Sequence, residues 1–211
     1  MIITISRQYG AGGSDVAQRV AAALGWSVVD NELVEQVAER AGVTADAAAA
    51  RDERTPGFIE RLTRTLAAAT PELFPPPGGT VADIDERTFV RITEGVVAEM
   101  AARGRVVLVG LAAPAVLGQQ GDALHVKLVA ERGLRVHAAA ERLGMDAAEA
   151  GRIVDDTDAM RARYHREYYG RDWADPAHYH MVLNTGLLGM AGTAEVMVGR
   201  ARGMGWGGAG G

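Results

Sequence analysis

The residues best suited to chemistry lie near the amino terminus: Arg7-Gln8-Tyr9-Gly10-Ala11-Gly12-Gly13-Ser14. Gly10, Gly12 and Gly13 tolerate positive φ and let the backbone approach a ligand closely. A β-branched run leads into them and a helical pattern leaves them. The free N–H groups and positive dipole end of a helix starting near Ser14 therefore face the turn. Such a turn holds an anion, and phosphate is the anion that suits it. Gly10, Ala11, Gly12, Gly13 and Ser14 are the candidate phosphate contacts. Ser14 either caps the helix or offers its hydroxyl to Mg²⁺. A glycine-rich turn with no ligand is the competing reading.

The standard phosphate-loop pattern is G-x-x-x-x-G-K-[ST]. Laid on this chain, it puts Arg7 at the first glycine, Gly12 at the second, Gly13 at the lysine and Ser14 at the hydroxyl position. The lysine that reaches the β- and γ-phosphates is missing. Arg7 can return its charge from the other end of the loop. A second cationic group is the run Arg161, Arg163, Arg166 and Arg171, the densest arginine stretch in the chain. Planar guanidinium forks bind phosphate oxygens in pairs. On a helix Arg163 and Arg166 share a face, while Arg161 lies on another with Asp158 three residues before it. The alternative is a solvated helix with Asp155, Asp156, Asp158 and Glu167 as ion-pair partners. Arg132 and Arg135 open a further helix, with a site role and a surface role equally open.

Five apolar segments can position these groups. Ile2–Ser6, Ser27–Asp30, Arg105–Gly110, His125–Val129 and Met181–Asn184 read as strands covered on both faces. Helical stretches fall at about 32–41, 58–69, 86–103, 131–143, 146–169 and 191–202. Alternation of this kind predicts a parallel sheet. The interval 31–104 is too long for a plain crossover, so it is expected to be an inserted helical lobe with a proline-rich loop at 71–79. The glycine-rich tail 203–211 is expected to fray. Asp30 ends the second strand, where ligands of open α/β sheets bind; it either contacts a substrate or caps the next helix. Arg54, Arg61 and Arg64 of the inserted lobe are candidates for a phosphate on that substrate.

The opening Ile3-Thr4-Ile5-Ser6-Arg7-Gln8-Tyr9-Gly10-Ala11-Gly12-Gly13 resembles the cytidylate kinase-like family. So do Asp30-Asn31-Glu32-Leu33-Val34, Asp158-Ala159-Met160-Arg161-Ala162-Arg163-Tyr164, Tyr168-Tyr169-Gly170, and Tyr179 with Asn184-Thr185-Gly186. The resemblance thins between about residues 44 and 88. It implies an α/β, P-loop NTPase-type five-stranded parallel sheet flanked by helices, in one domain over 1–211. That domain would carry an inserted lobe for a nucleoside monophosphate and a helical lid at about 144–180. It implies ATP and Mg²⁺ as cofactors and CMP or dCMP as acceptor. It also implies Arg161, then Arg163 and Arg166, as catalytic groups, and Asp158 and Tyr164 as lid support; Arg7 joins the catalytic candidates by its charge, and Asp30 and Arg54 are carried as substrate-ligand candidates. The alternatives are a nucleotide-binding protein impaired in catalysis and a kinase for another small acceptor. One departure falls at Gly110-Leu111-Ala112-Ala113, where related sequences often carry Gly-Arg-Gly.

Bulk properties agree with a cytoplasmic protein. The net charge of −5 argues against a nucleic-acid polymer as partner, and the absence of cysteine excludes disulfides and thiolate metal sites. The apolar run at 2–6 is too short to span a membrane. A monomer or homodimer is expected. His178 and His180 form an H-x-H pair near His165, but no third ligand has a suitable spacing. Tyr164, Tyr168, Tyr169 and Trp173 are expected to pack the lid onto the core.

Overall fold

The computed structural model describes residues 1–30, 86–118 and 121–206. The chain divides into two compact units, Met1–Val29 with Val97–Gly211, and Asp30–Val96. In chain order the elements are β1 (Ile2–Arg7), α1 (Gly13–Leu24), β2 (Ser27–Asp30), α2 (Glu86–Arg103), β3 (Val106–Val109), α3 (Ala113–Leu117), β4 (Ala123–Val129), α4 (Arg132–Leu143), α5 (Ala147–Tyr169), a 3₁₀ turn (Pro176–His178), β5 (Met181–Asn184) and α6 (Thr185–Gly203). The expected helices at 32–41 and 58–69, the loop at 71–79, and Arg54, Arg61 and Arg64 lie outside the described residues.

The five strands form one sheet in the order β2-β3-β1-β4-β5. β1 is parallel to β3 (Ile2 beside Val106) and to β4 (Ile2 beside Ala123), and β4 is parallel to β5. The N-terminal strand is thus the centre of the sheet, which explains why all six of its residues are buried. Parallel neighbours need crossovers, and these place helices on both faces.

The two faces of the sheet differ in chemistry. Ile3, Ile5, Val107, Val109, Leu124, Val126 and Leu128 pack against Val16, Val20, Met197 and Val198 of α1 and α6 in the main core. Side chains alternate along a strand, so Thr4, Ser6, His125 and Lys127 face the other way, all of them buried. That polar layer lies beneath the segment 171–180, which follows α5.

Two expectations need correction. The last helix begins at Thr185 rather than near 191, with non-helical backbone at Gly189 (φ 67°, ψ 167°). The kink breaks the apolar periodicity and hides the first turn from the sequence pattern. The tail is also ordered further than its glycine content suggests. Trp206 is buried against the core, its ring centroid 5.9 Å from that of Trp26, and residues 207–211 lie outside the described ones.

Candidate active site

The glycine turn leaves β1 at the carboxyl end of the sheet and is fixed at several points. Gln8 N–H donates to Leu128 C=O (3.0 Å), and its side-chain oxygen accepts Ala130 N–H (3.1 Å). Thr185 Oγ1 donates to Ala11 C=O (3.0 Å), so the first residue of α6 supports the turn. Gly10 has φ 78°, and a Cβ there would stand 2.6 Å from the backbone oxygen of Arg135.

Gly12, in the left-handed region at φ 73°, is the N-cap of α1, and no side chain caps this helix. Ser14 therefore does not cap it, and that alternative falls. The first bond inside the helix runs from Val16 N–H to Gly12 C=O, 3.1 Å. The N–H groups of Gly13, Ser14 and Asp15 are left unused by the helix, as its first turn requires. They are available to an anion. Met190 packs onto Gly12 from α6, just past the kink.

α4 and α5 bind the turn from one side. Val136, Ala139, Ala150 and Val154 form a small apolar cluster with Tyr9 packed against it. Asp158 accepts Tyr9 N–H on Oδ1 (2.9 Å) and the Arg135 guanidinium on Oδ2 (2.7 Å). Arg135 also donates to Tyr9 C=O (3.1 Å) and Ala130 C=O (3.1 Å). Its side chain is only 7% exposed and that of Asp158 17%. Arg161, one turn further along α5, donates to Arg7 C=O (2.8 Å) and lies 5.8 Å from the centre of the Tyr9 ring.

Several expected roles change here. Asp158 lies three residues before Arg161, but that pair is 3.9 Å apart, and the short ion pair is with Arg135. Arg132 sits on the surface paired with Asp155 at 2.7 Å. Arg163 and Arg166 are exposed, and their side chains have no polar partner among the described residues. The structure thus brings Arg7, Arg161, Asp158 and Gly10 to Ser14 together, and among the described residues gives Arg163 and Arg166 no contact with them. Tyr164 belongs to a ring cluster at the end of α5, 4.8 Å from Tyr168 and 5.9 Å from Tyr169 by centroids. Asp30 ends β2, buried, and falls in the second unit.

On the other side of the turn, β3 leaves the sheet through three consecutive left-handed residues, Gly110 (φ 87°), Leu111 (φ 55°) and Ala112 (φ 49°). The two non-glycine residues cost about 1–2 kcal/mol each. The Arg7 guanidinium lies against Gly110, where a Cβ would be 2.6 Å from Nη1.

The segment after α5 straps the polar face of the sheet. Trp173 is buried, and its indole N–H donates to Ser6 Oγ at 2.8 Å. Lys127 donates to Trp173 C=O and lies 3.8 Å from the centre of the Trp173 ring. Burial pushes the Lys127 amine down to about 8, opposed by Asp158 and Asp172. Tyr179 donates to Trp173 C=O (3.0 Å), and Arg171 to Pro114 C=O (3.1 Å). Trp173 therefore packs this segment onto the core, as its sequence context predicts.

The H-x-H pair has a structural use. His180 Nδ1 accepts His125 N–H at 2.8 Å, and the two rings stack 5.1 Å apart. His125 Nε2 donates to Gly118 C=O (2.8 Å), so its Nδ1 accepts the Thr4 hydroxyl (2.7 Å). Among the described residues no group of three or more His, Asp or Glu could hold a metal ion.

His165 gives a test of the strap. Burial, with the cationic Lys127, Arg171 and His178 adding to it, holds its imidazole down to about 4 from the ordinary 6.5. The unfolded chain thus takes up a proton at higher pH than the folded one. His165 leaves stability intact above about 6.5 and erodes it by up to about 3 kcal/mol as the pH falls to about 4. Urea denaturation at pH 7 and pH 4.5 should show that slope, and His165→Gln should flatten it. An unchanged slope would show that other groups set the acid limit.

A glycine turn between a central parallel strand and a helix, flanked by arginines, is the arrangement of the P-loop kinase fold class. Solved structures share the fold. An uncharacterized protein from Eubacterium ventriosum is 17% identical, with 96% of this chain and 98% of that one covered and a TM-score of 0.66. A gluconokinase from Sinorhizobium meliloti is 13% identical, with 94% and 91% covered and a TM-score of 0.51. Shikimate kinase from Acinetobacter baumannii, in complex with shikimate, is 14% identical, with 96% and 92% covered and a TM-score of 0.50. No curated protein matches the sequence. The sequence model of the cytidylate kinase-like family matches residues 2–187, and the chain belongs to that family.

Proposed function

We propose that the protein transfers a phosphoryl group from ATP to a nucleoside monophosphate, with CMP or dCMP as acceptor. The observation that carries this reading is the convergence of unused α1 N–H groups, Arg7 and Arg161 on one tightly held turn. Phosphoryl transfer needs positioning and positive charge more than covalent chemistry. Gly10 to Ser14 would hold the phosphates of ATP through backbone N–H groups. Ser14 stands at the second helical position with its hydroxyl uncommitted to a cap, which fits a Mg²⁺ ligand. Mg²⁺ and ATP, when bound, supply the transferable phosphoryl group and neutralise part of its charge. Arg7 and Arg161 reach the turn from opposite sides and would hold the charge that spreads over the transferring oxygens.

The base has an apolar shelf beside the turn. Leu134, half exposed, lies against Gly186, where a Cβ would meet its Cδ1 at 2.8 Å and the Ala130 Cβ at 3.7 Å. Leu187 follows at 85% exposure. Thr185 joins this shelf to Ala11. Asp30 and an arginine of the inserted lobe, Arg54 with Arg61 and Arg64 as alternatives, are assigned to the acceptor. No helix among the described residues is long and apolar enough to cross a membrane, and we place the reaction in the cytoplasm.

The test is phosphate transfer from ATP with Mg²⁺ across CMP, dCMP, UMP and AMP. Turnover with CMP or dCMP is expected. Gly13 and Leu111 stand where a lysine and an arginine belong, and they favour a second reading, nucleotide binding without turnover. Binding without transfer to any acceptor would decide for it. Turnover with none of the four but with another small alcohol would assign a different acceptor. Arg161→Ala is expected to lower kcat more than tenfold, with far less effect on KM for ATP. An unchanged kcat would remove Arg161 from the reacting centre.

A further inference from the structure

Arg7 and Gly13 are the two positions at which the turn departs from the standard phosphate loop, and the structure places them in contact. Arg7 is the last residue of β1, and its side chain leaves the strand on the same face as Ile3 and Ile5. A Cβ built at Gly13 would lie 2.9 Å from Arg7 Cγ, 3.2 Å from Cδ and 3.4 Å from Cβ. The stem of Arg7 therefore fills the space that the first atoms of any side chain at position 13 would need. The far end of Arg7 meets a second glycine, since a Cβ at Gly110 would stand 2.6 Å from Nη1. The arginine is 7% exposed, with its stem against Gly13 and its tip against Gly110.

We infer that Arg7 and Gly13 are one compensated exchange, in which the phosphate-binding cation comes from the end of β1 instead of from the first turn of α1. A lysine at the helix start and an arginine at the strand end exclude each other sterically. The exchange also moves the charge. The lysine of a standard loop rises from the helix toward the β- and γ-phosphates. The Arg7 guanidinium lies instead at the end of β3, beside the strained turn through Gly110, Leu111 and Ala112. β3 flanks β1 on the side opposite β4, while the helices carrying Arg135, Asp158 and Arg161 follow β4. The two cationic groups thus approach the turn from opposite sides of the central strand. This inference rests on the phosphate-binding reading proposed above, and adds that the charge belongs to the β3 side of the bound phosphates.

A four-member cycle tests it: wild type, Gly13→Lys, Arg7→Gly and the double variant, which restores the standard pattern at both positions. Each is titrated with ADP in MgCl₂ by calorimetry and melted without ligand. Gly13→Lys and Arg7→Gly should each weaken ADP binding at least tenfold, the first with a lowered Tm. The double variant should bind ADP at least tenfold more tightly than Gly13→Lys and recover its Tm, because the lysine then enters the space that Arg7 has left. Additive losses in the double variant, or wild-type affinity in Gly13→Lys, would overturn the inference. If Gly13→Lys does not fold, Gly13→Ala replaces it in the same cycle. It should lower Tm when Arg7 is present and not in the Arg7→Gly background. Wild-type protein that binds no ADP would overturn the nucleotide reading, and the Tm cycle alone would then decide whether Arg7 and Gly13 exclude each other.

Discussion

Asp158→Ala is expected to destabilise the protein by about 3–5 kcal/mol, because it strands a buried guanidinium. Arg135 is 7% exposed, and its only carboxylate partner among the described residues is Asp158, at 2.7 Å. The same substitution removes the acceptor for Tyr9 N–H, 2.9 Å from Oδ1. Losing either partner would be serious, and here one carboxylate serves both. For a chain of this size the Tm should fall by roughly 10 °C, at about 2–4 °C per kcal/mol. ADP affinity should fall with it, since Tyr9 immediately precedes the glycines. Asp158→Asn keeps one acceptor oxygen and should retain part of the stability. Urea denaturation of the two variants measures both effects. A loss below about 1 kcal/mol for Asp158→Ala would show that the pair behaves as an exposed surface bridge.

Gly10→Ala is the second large effect, and Gly25→Ala is its control. Both glycines adopt left-handed backbone, φ 78° at Gly10 and φ 67° at Gly25. That conformation costs an alanine about 1–2 kcal/mol at either site. Around Gly25 nothing lies within 4 Å of a built Cβ, so the conformational cost is all that alanine meets there. At Gly10 the same Cβ stands 2.6 Å from the backbone oxygen of Arg135, in the first turn of α4. A helix backbone cannot yield as a flexible side chain does. Gly10→Ala should therefore cost clearly more than Gly25→Ala and weaken ADP at least tenfold, while Gly25→Ala leaves ADP binding unchanged. Equal losses of stability and affinity in the two variants would remove the close approach to α4 from the description of the site.

Much of the sheet is legible in the sequence because a parallel sheet covered on both faces leaves continuous apolar runs, as in Val106 to Val109. The helix at 86–103 follows from periodicity at its observed bounds, and that at 146–169 is read one residue early, because Asp146 is the N-cap whose side chain accepts two N–H groups of α5. The site is legible only in part. Arg132 and Arg135 look equivalent, three residues apart at the start of one helix. What separates them is Asp158, 23 residues beyond Arg135, which makes one of them internal. Local spacing favours an Asp158–Arg161 pair, yet the short ion pair is made between helices. The polar layer of Thr4, Ser6, His125 and Lys127 carries an alternation signal within its own strands, but its partners, Trp173 and His180, arrive from 46 to 167 residues away. Contacts over such distances leave no trace in local pattern.

The central place of β1 has a consequence for how the chain acquires its structure. Its two sheet neighbours begin at Val106 and Ala123, so β1 has no partner until about a hundred further residues have been made. Closing loops of that length before any pairing is gained is a slow step. The unpaired strand, with Ile2, Ile3 and Ile5 uncovered, must stay soluble through that interval. Truncated chains ending before β4 would expose the same strand and should aggregate instead of folding.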